Sequence, residues 1–179
     1  MPEIEIRPVS NTDVPALLAL NHNYSSNNVW QMEFKMDSAE ISVNFRQVRL
    51  PRTVEVEYPR SPESLVEEWS KHSGLLVALF EGKPVGYARL VQDYFPFSVL
   101  MTDLVVNKAQ RRQGIGSALV LAAQEWAAIR PDIRRLILEM QPKNYPAISL
   151  VQKLGFKFCG YNDHYYRNQD TAIFFEKWL

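Results

Sequence analysis

One stretch decides the fold of this chain: residues 104–119 read Leu-Val-Val-Asn-Lys-Ala-Gln-Arg-Arg-Gln-Gly-Ile-Gly-Ser-Ala-Leu. The pattern predicts an apolar strand, a basic turn with two glycines, Gly114 and Gly116, and an apolar helix. The first turn of a helix leaves backbone N–H groups unbonded and carries the positive end of the helix dipole. Arg111 adds positive charge three residues before Gly114. The stretch therefore predicts a phosphate-binding turn.

The spacing of the two glycines excludes two better-known phosphate loops. A dinucleotide-binding loop needs a third glycine where Leu119 stands, and a P-loop ends in Gly-Lys-Ser or Gly-Lys-Thr. The alternative reading is a helix that merely begins at a glycine-rich turn. The motifs downstream have to decide between the two.

Length and composition favour one soluble globular domain over residues 1–179. The 179 residues are 46% hydrophobic, enough for one substantial core. Twenty basic and twenty acidic residues cancel, so no overall charge attracts nucleic acid or an anionic membrane, and we expect neither as a partner.

Cysteine, histidine and the amino terminus carry little signal. Cys159 is the sole cysteine, and His22, His72 and His164 lack metal-ligand spacing, so we expect neither an intrachain disulfide nor a metal. The charged amino-terminal segment does not resemble a signal peptide, and no apolar run reaches the roughly 18 residues that span a bilayer. These features predict a cytoplasmic protein.

Hydrophobic periodicity predicts alternating strands and helices around the glycine turn. Alternating apolar residues over about 29–60 predict a β excursion of two or three strands. Apolar residues at helical spacing predict a helix at about 114–130 and a short helix through Ala147, Leu150, Val151 and Leu154, stopped by Gly155. Further strands are expected at about 75–80, 84–92, 98–106, 135–140, 156–167 and 171–178, the first two joined by a hairpin turn at Glu81-Gly82-Lys83.

The order of motifs over residues 75–179 resembles the GNAT superfamily of acetyl-coenzyme A-dependent N-acetyltransferases. The motifs are Arg111-x-x-Gly114-x-Gly116, Asn144-x-x-Ala147-x-x-Leu150 and Lys153-Leu154-Gly155-Phe156. The closing run is similar to the streptothricin acetyltransferase branch of that superfamily. It comprises Glu139-x-Gln141, Asn144-x-Pro146-Ala147, Gly160-Tyr161-x-Asp163 and Thr171-Ala172-Ile173.

The resemblance implies an α/β (α+β) fold with a mixed, mostly antiparallel central sheet flanked by helices. Two neighbouring parallel strands, about 98–106 and 135–140, splay apart in such folds, and the pantetheine arm of coenzyme A lies in the gap. The residues implied to bind the cofactor are Leu104, Val105 and Val106 through their main chain, Arg111, Arg112, Gln113, Gly114, Ile115, Gly116 and Ser117 around the diphosphate, and Asn144 near the pantetheine arm or the departing sulfur. Arg111 or Arg112 would supply the charge.

The resemblance also implies direct attack of a primary amine on the acetyl thioester. An alkylammonium with a pKa near 10 must lose a proton at pH 7, which costs about 4 kcal/mol. Asp103, on the strand beside the thioester, is the candidate base or ammonium anchor, with a structural ion pair as the alternative. Because related enzymes carry their acid where this chain has Thr102, Asp103 reaches the substrate only if the strand contains a β-bulge.

The usual general acid of the superfamily is missing from the chain. A tyrosine commonly follows the motif leucine, and Val151 stands there instead. Tyr145 is the first candidate to replace it; Tyr161, Tyr165, Tyr166 or water are the others.

Two kinds of acceptor and two non-enzymatic roles remain open at this stage. A pocket closed by residues 29–60 and carrying acidic groups suits a small amine, which the streptothricin-type resemblance favours. A cleft open at both ends suits a protein lysine or amino terminus. A coenzyme A-binding module without turnover, or an adapter that uses the glycines only as a turn, are the non-enzymatic alternatives. Trp30, Phe34, Phe45 and Tyr58 form either a substrate wall or the core face of the added strands, and the oligomeric state is monomer or dimer.

Overall fold

Two β-sheets and four helices make up the part of the chain that the structure describes. The structure is a computed structural model and describes residues 3–68 and 74–179, so His72 lies outside it. In chain order the elements are β1 (Ile4–Pro8), α1 (Val14–Leu18), β2 (Tyr24–Met36), β3 (Ile41–Val56), α2 (Ser64–Glu68), β4 (Gly74–Phe80), β5 (Lys83–Gln92), β6 (Ser98–Val106), α3 (Ile115–Ala128), β7 (Arg135–Met140), α4 (Tyr145–Lys153), β8 (Lys157–Asn162) and β9 (Ala172–Trp178).

The larger sheet is mixed and mostly antiparallel, as predicted. Its seven strands run in the order β1-β4-β5-β6-β7-β9-β8, and β6 and β7 are the parallel neighbours. The predicted hairpin joins β4 to β5, with Phe80 paired to Lys83 across a two-residue loop. Both loop residues, Glu81 and Gly82, have positive φ, as the tightest hairpin turns require.

Helices cover both faces of this sheet. On one face Leu76 and Met101 belong to the main core with Leu119 of α3. On the other face Val77 packs in a second cluster with Leu17 of α1. The neighbours Leu76 and Val77 thus serve opposite cores, as strand alternation requires. Each helix within residues 3–68 and 74–179 is too short or too polar to cross a membrane.

Strands β6 and β7 pair only over their first residues. The parallel register ends at the pair Met101 and Leu138. From Thr102 on β6 and Glu139 on β7 the two strands have no register with each other, so a gap opens between them. The splayed parallel pair expected from the resemblance is therefore present.

A β-bulge in β6 lies at the point where the gap opens. Arg89 of β5 opposes Asp103, but the next residue, Leu90, opposes Met101, which leaves Thr102 without a partner. Met101 faces the α3 core, and without an additional residue Asp103 would face it too. The bulge therefore turns Asp103 toward the face of α1 and α2.

Strands β2 and β3 form a separate two-stranded ribbon of 13 and 16 residues, which confirms the β excursion and extends it at its amino end. Its base attaches to the main body: the Trp30 N–H donates to the Pro142 carbonyl at 2.9 Å. Phe45 packs against Phe158, with 5.3 Å between ring centroids. Its tip projects outward, where Met36 is 68% exposed.

The strand expected over about 156–167 is shorter than predicted. β8 ends at Asn162 because the chain then turns, with His164 and Gln169 at positive φ, a conformation that an extended strand excludes. The N–H groups of Tyr165 and Tyr166 both donate to the Asp170 carbonyl, at 3.0 and 3.1 Å. This turn directs both tyrosines toward the gap in the sheet.

Candidate active site

The gap between β6 and β7 is a narrow slot with side chains on all sides. Its cavity measures about 30 Å³. The strand edges there have no strand partner, so backbone groups between the Thr102 and Val106 carbonyls, which accept from Arg60 and Arg111, can bond an extended chain. Leu104 lines the slot, and Val105 and Val106 continue the same edge of β6. The lining residues are Tyr58, Pro59, Arg60, Met101, Thr102, Leu104, Leu138, Glu139, Met140, Gln141, Asn144, Ala147 and Tyr166.

The glycine turn presents free backbone N–H groups. Helix α3 begins after Gly114, which has φ of 86° and open space where a side chain would lie. Among the described residues, no acceptor takes a hydrogen bond from the N–H groups of Arg112 through Ser117, including those of Gln113 and the buried Ile115. These donors and the dipole of a 14-residue helix favour an anion.

Gly116 lies where a side chain would meet two neighbouring elements. A Cβ on Gly116 would lie 3.2 Å from Leu150 Cδ2 of α4 and 4.0 Å from Val106 Cγ2 of β6. The missing side chain therefore lets α3 approach α4 and β6 closely. Clearance for an anion comes from Gly114 instead.

The two arginines of the turn differ in their contacts: Arg111 bonds backbone carbonyls, whereas Arg112 is exposed. Arg111 Nε donates to the Val106 carbonyl at 2.8 Å, and its Nη2 donates to the carbonyls of Asn21 and Asn23 at 3.1 and 2.8 Å. Arg111 thus ties the segment before β2 to the end of β6. Arg112 is exposed at positive φ, so of the two residues expected to supply charge it is the one available.

Asn144 lies at the slot and caps α4. Its Oδ1 accepts from the Ala147 N–H at 3.2 Å, and its amide nitrogen has no acceptor among the described residues. The amide nitrogen is therefore available as a donor to a ligand in the slot.

The first candidate for the general acid lies away from the slot. Tyr145 is the first residue of α4 and is not among the slot-lining residues, in contrast to its neighbour Asn144. Val151 is fully buried in the main core. Of the alternatives, Tyr166 lines the slot, whereas Tyr161 packs against Phe45 with 5.6 Å between ring centroids.

Asp103 is buried beside the slot, not in its lining. Its Oδ2 lies 2.6 Å from Arg89 Nε in an ion pair and accepts from Thr102 Oγ1 at 2.9 Å, and its Oδ1 accepts from the Tyr58 hydroxyl. Burial alone would raise the pKa of Asp103, but the guanidinium groups of Arg60 and Arg89 outweigh it and hold the pKa below its usual value. With both oxygens engaged, these contacts favour the structural ion pair over the predicted base.

Glu139 is a second buried carboxylate, and it does line the slot. Arg60 Nη2 donates to its Oε1, and the Tyr165 hydroxyl donates to its Oε2 at 2.7 Å. Arg60 Nη1 also donates to the Thr102 carbonyl at 2.8 Å, so this guanidinium spans the gap. Burial raises the pKa of Glu139 above its usual value, although Arg60 and Tyr165 oppose the shift. Glu139 therefore accepts a proton more readily than Asp103.

Sequence analysis did not assign Arg60 or Glu139 to the site. Arg60 lies in an irregular connection between β3 and α2, where no periodic pattern marks it. The sequence does contain a sign that Glu139 is functional: it is the one carboxylate in the otherwise apolar run from Leu136 to Met140, and a buried carboxylate needs a reason.

A larger cavity of about 560 Å³ adjoins the slot. The two share Tyr58, Pro59 and Arg60. Residues 57–62 form the wall, so Tyr58 is the one of the four aromatic candidates that lines the cavity. Phe34, near the ribbon tip, is 52% exposed. Trp30 packs on the main core. The cavity is lined by Leu20, Asn21, His22, Asn23, Glu57, Tyr58, Pro59, Arg60, Ser61, Pro62, Arg167 and Asn168.

Comparison with known proteins gives relatives of one kind. A family model described as the Acetyltransferase (GNAT) family matches residues 43–156. An N-alpha-acetyltransferase of Sulfurisphaera tokodaii is 31% identical over 110 residues, which cover 56% of this chain and 66% of that protein. The streptothricin acetyltransferase of Streptomyces lavendulae is 25% identical over 169 residues, 94% of this chain and 88% of that protein.

Solved structures share the fold over nearly the whole chain. Nourseothricin acetyltransferase superposes with a TM-score of 0.81 at 21% identity, covering 98% of each chain. A Bacillus anthracis protein, provisionally named a streptothricin acetyltransferase and solved with acetyl coenzyme A, superposes with a TM-score of 0.76 at 18% identity, covering 99% of this chain and 100% of that one.

The slot and the turn fit acetyl coenzyme A, which supplies an activated acetyl thioester when bound. The free N–H groups from Arg112 to Ser117 and the Arg112 charge would hold its diphosphate, and the open strand edges with Asn144 would hold its pantetheine arm. Within the described ranges, no three His, Cys, Asp or Glu side chains are grouped to hold a metal ion. The matched family range includes the slot strands, the turn and α3, and it makes up more than half of the chain. The chain therefore belongs to the GNAT family and is an acetyltransferase that uses acetyl coenzyme A.

Proposed function

We propose that the acceptor is a primary amine of a small molecule, which attacks the acetyl group directly. The observation that carries the proposal is the cavity of about 560 Å³ that meets the slot at Tyr58, Pro59 and Arg60. Small-molecule sites usually measure about 300–1,000 Å³. A cavity of this size beside the slot suits a whole small molecule, whereas a peptide needs a groove that continues past the reacting amine.

Acidic and basic groups balance each other around the junction of cavity and slot. Asp103 and Glu139 lie within reach of Arg60, Asp103 also pairs with Arg89, and Glu57 and Arg167 both line the cavity. An ammonium acceptor would have to take the place of Arg60 beside one of these carboxylates. Similarity to streptothricin acetyltransferase over 94% of this chain supports the same acceptor class.

A protein amino terminus is the second candidate acceptor. The similarity to an N-alpha-acetyltransferase, 31% over 110 residues, favours it. An α-amine has a pKa near 7.7, so its deprotonation at pH 7 costs about 1 kcal/mol in place of about 4. A site for α-amines therefore needs less help from a buried base.

Thiol release from acetyl coenzyme A tests the proposal. The purified chain is incubated with a panel of small primary amines and, separately, with peptides that carry a free amino terminus or an internal lysine. We expect acceptor-dependent thiol release, and an acetylated product by mass spectrometry, with small amines. Release with peptides alone would overturn the small-molecule assignment in favour of the second candidate.

The two non-enzymatic alternatives give different results in calorimetry. A module without turnover binds coenzyme A but gives no acceptor-dependent thiol release. An adapter binds no coenzyme A at all. Either result would contradict the proposed function.

A further inference from the structure

We propose that the proton set free by each acetylation leaves the site through Glu139, Tyr165 and Tyr94. The inference rests on the proposed amine acceptor and adds a route for its proton. Glu139 and Tyr94 were not assigned to the site from the sequence, and Tyr165 was named there only as one of the candidates for the general acid.

The stoichiometry of the reaction requires such a route. An acceptor ammonium carries three protons on nitrogen: one stays in the amide product, one ends on the departing thiol and the third must reach water. The first proton has to leave before attack, because only the neutral amine has a lone pair to form the new N–C bond. A proton taken up by Glu139 has no direct contact with bulk water, because that side chain has no exposed surface.

Glu139 is the carboxylate placed to take the proton. It lines the slot and has no exposed side-chain surface. The titratable and charged groups that face it are Arg60, Tyr165, Tyr166 and Asp103. Asp103 is held ionised by two arginines, whereas Glu139 has Arg60 alone as a charged hydrogen-bond partner.

The two carboxylate oxygens of Glu139 have separate partners, so the proton can arrive on the side of one partner and leave on the side of the other. The acceptor nitrogen takes the place of Arg60 Nη2 at Oε1, while Arg60 Nη1 keeps its bond to the Thr102 carbonyl. Oε2 remains bonded to the Tyr165 hydroxyl at 2.7 Å. The ammonium therefore replaces one hydrogen bond of Arg60, while the guanidinium stays beside Asp103.

Two tyrosine hydroxyls connect Oε2 to the surface. The Tyr165 hydroxyl lies 3.2 Å from the Tyr94 hydroxyl, and Tyr94 is 50% exposed. Edge contacts between rings position both phenols: Tyr94 packs on Phe95 at 5.0 Å, and Tyr165 packs on Phe174 at 5.9 Å. The chain of hydroxyls therefore runs from a buried carboxylate to solvent without a break.

The transfer balances in protons and charge. The ammonium N–H bond breaks and its proton binds the Glu139 carboxylate, giving a neutral amine and a neutral acid. The carboxyl group then turns so that its O–H faces the Tyr165 oxygen, and the Tyr165 hydroxyl turns its own O–H from Glu139 to the Tyr94 oxygen. In this arrangement Glu139 gives its proton to Tyr165 as Tyr165 passes its own to Tyr94. Tyr94 passes its proton to water. Glu139 is ionised again, and rotation of the two hydroxyls restores the starting hydrogen bonds.

The first arm of the test needs no turnover. The titration of Glu139 is followed by NMR of ¹³C-glutamate-labelled protein without ligands, with Glu139→Gln to assign the signal. The Tyr165 hydroxyl stabilises the ionised form, so Tyr165→Phe should raise the Glu139 titration midpoint. Tyr161→Phe is the matched control, because that ring packs by apolar contacts. An unchanged midpoint in Tyr165→Phe would overturn the coupling.

The second arm measures kcat against pH with the small amine that the wild-type enzyme uses best. Tyr165→Phe should lower kcat about tenfold at pH 7 and move its acidic limb to higher pH, since the ionised base is the active form. Tyr94→Phe should lower kcat about tenfold without moving the limb, because Glu139 keeps its bond to Tyr165.

Rescue separates proton transfer from a structural role. N-ethylmorpholine, a tertiary amine that cannot be acetylated, should restore part of the kcat of Tyr94→Phe by taking the proton from Tyr165. Unchanged kcat in both variants, or a loss that the buffer does not rescue, would overturn the proposed route while wild-type turnover upholds the proposed function. A wild-type enzyme that acetylates no amine would overturn the function, and the NMR arm would still decide the coupling.

Discussion

Replacing Arg60 should test how the two buried carboxylates are balanced. Arg60→Met keeps most of the side-chain volume and removes the charge that faces both Asp103 and Glu139. Asp103 keeps its ion pair with Arg89 at 2.6 Å. The loss of stability therefore comes mainly from Glu139, which loses its one charged partner. Breaking a buried ion pair on one side typically costs about 3–5 kcal/mol.

Protonation limits that cost. Glu139 can bind a proton in place of staying charged, and for a carboxyl with an ordinary pKa of about 4.3 this costs about 3.7 kcal/mol at pH 7 and about 1 kcal/mol at pH 5. The folded variant then holds a proton that the unfolded chain lacks, so its stability falls as the pH rises from about 4.3 toward 7. We expect Arg60→Met to lose about 3 kcal/mol at pH 7 and about 1 kcal/mol at pH 5.

Urea unfolding of four proteins at both pH values measures this effect. The set is wild type, Arg60→Met, Glu139→Gln and the double variant, which form a double-mutant cycle. With Gln at 139 the remaining carboxylate that faces Arg60 is Asp103, which keeps Arg89, so the second substitution should cost about 1 kcal/mol or less at either pH. A loss that is the same at pH 5 and pH 7, or the same with Glu and Gln at 139, would refute the reasoning.

Three further predictions concern the cofactor. Gly114→Asp should abolish coenzyme A binding in calorimetry, whereas Gly114→Ala should keep it and lose about 1 kcal/mol of stability to its positive φ; equal affinities would exclude a diphosphate at this turn. Arg112→Ala should weaken coenzyme A binding about tenfold at low salt and less at high salt. Arg111→Ala should instead lower the unfolding free energy by about 2 kcal/mol, and the reverse assignment of effects would contradict the separate roles of the arginines. Asn144→Ala should lose about 1 kcal/mol of cap stability and also cofactor affinity, while Asn144→Asp should restore the cap alone; full affinity in both variants would show that the amide does not contact the cofactor.

The sequence was most informative where one local pattern has one physical explanation. The apolar strand, basic turn and helix around Gly114 follow from nearest-neighbour chemistry, and the structure has all three. The gap between β6 and β7 came from the resemblance, because the separation of two strands leaves no mark in either strand alone.

The catalytic prediction at Asp103 depended on distant residues. The bulge that it required is present, but strand alternation cannot indicate that Arg89, Arg60 and Tyr58 engage the carboxylate. Arg60 is 43 residues away along the chain, by subtraction of residue numbers, in a connection without periodicity. Long-range ion pairs of this kind are set by topology, so the strand alone leaves both the base and the structural ion pair open.

The surroundings of Gly116 and the orientation of the ribbon also depend on residues that are distant in the sequence, which no local pattern predicts. Gly116 has the spacing of an anion-binding residue, yet its neighbour in space is Leu150, which no local pattern reveals. The ribbon was predicted as strands from alternation, but its orientation relative to the cavity depends on contacts such as Trp30 with Pro142.

Because Thr102 has no partner on β5, adding or removing one residue at this position reverses which side chains of β6 face each side of the sheet. Deleting one residue there would exchange inside and outside for every position up to Val106, so Asp103 and Leu104 would trade environments. A homologue with one residue fewer in this strand would therefore present its acid one position earlier in the sequence and on the same face of the sheet. Gap-free alignment of this strand would compare side chains from opposite surfaces of the protein.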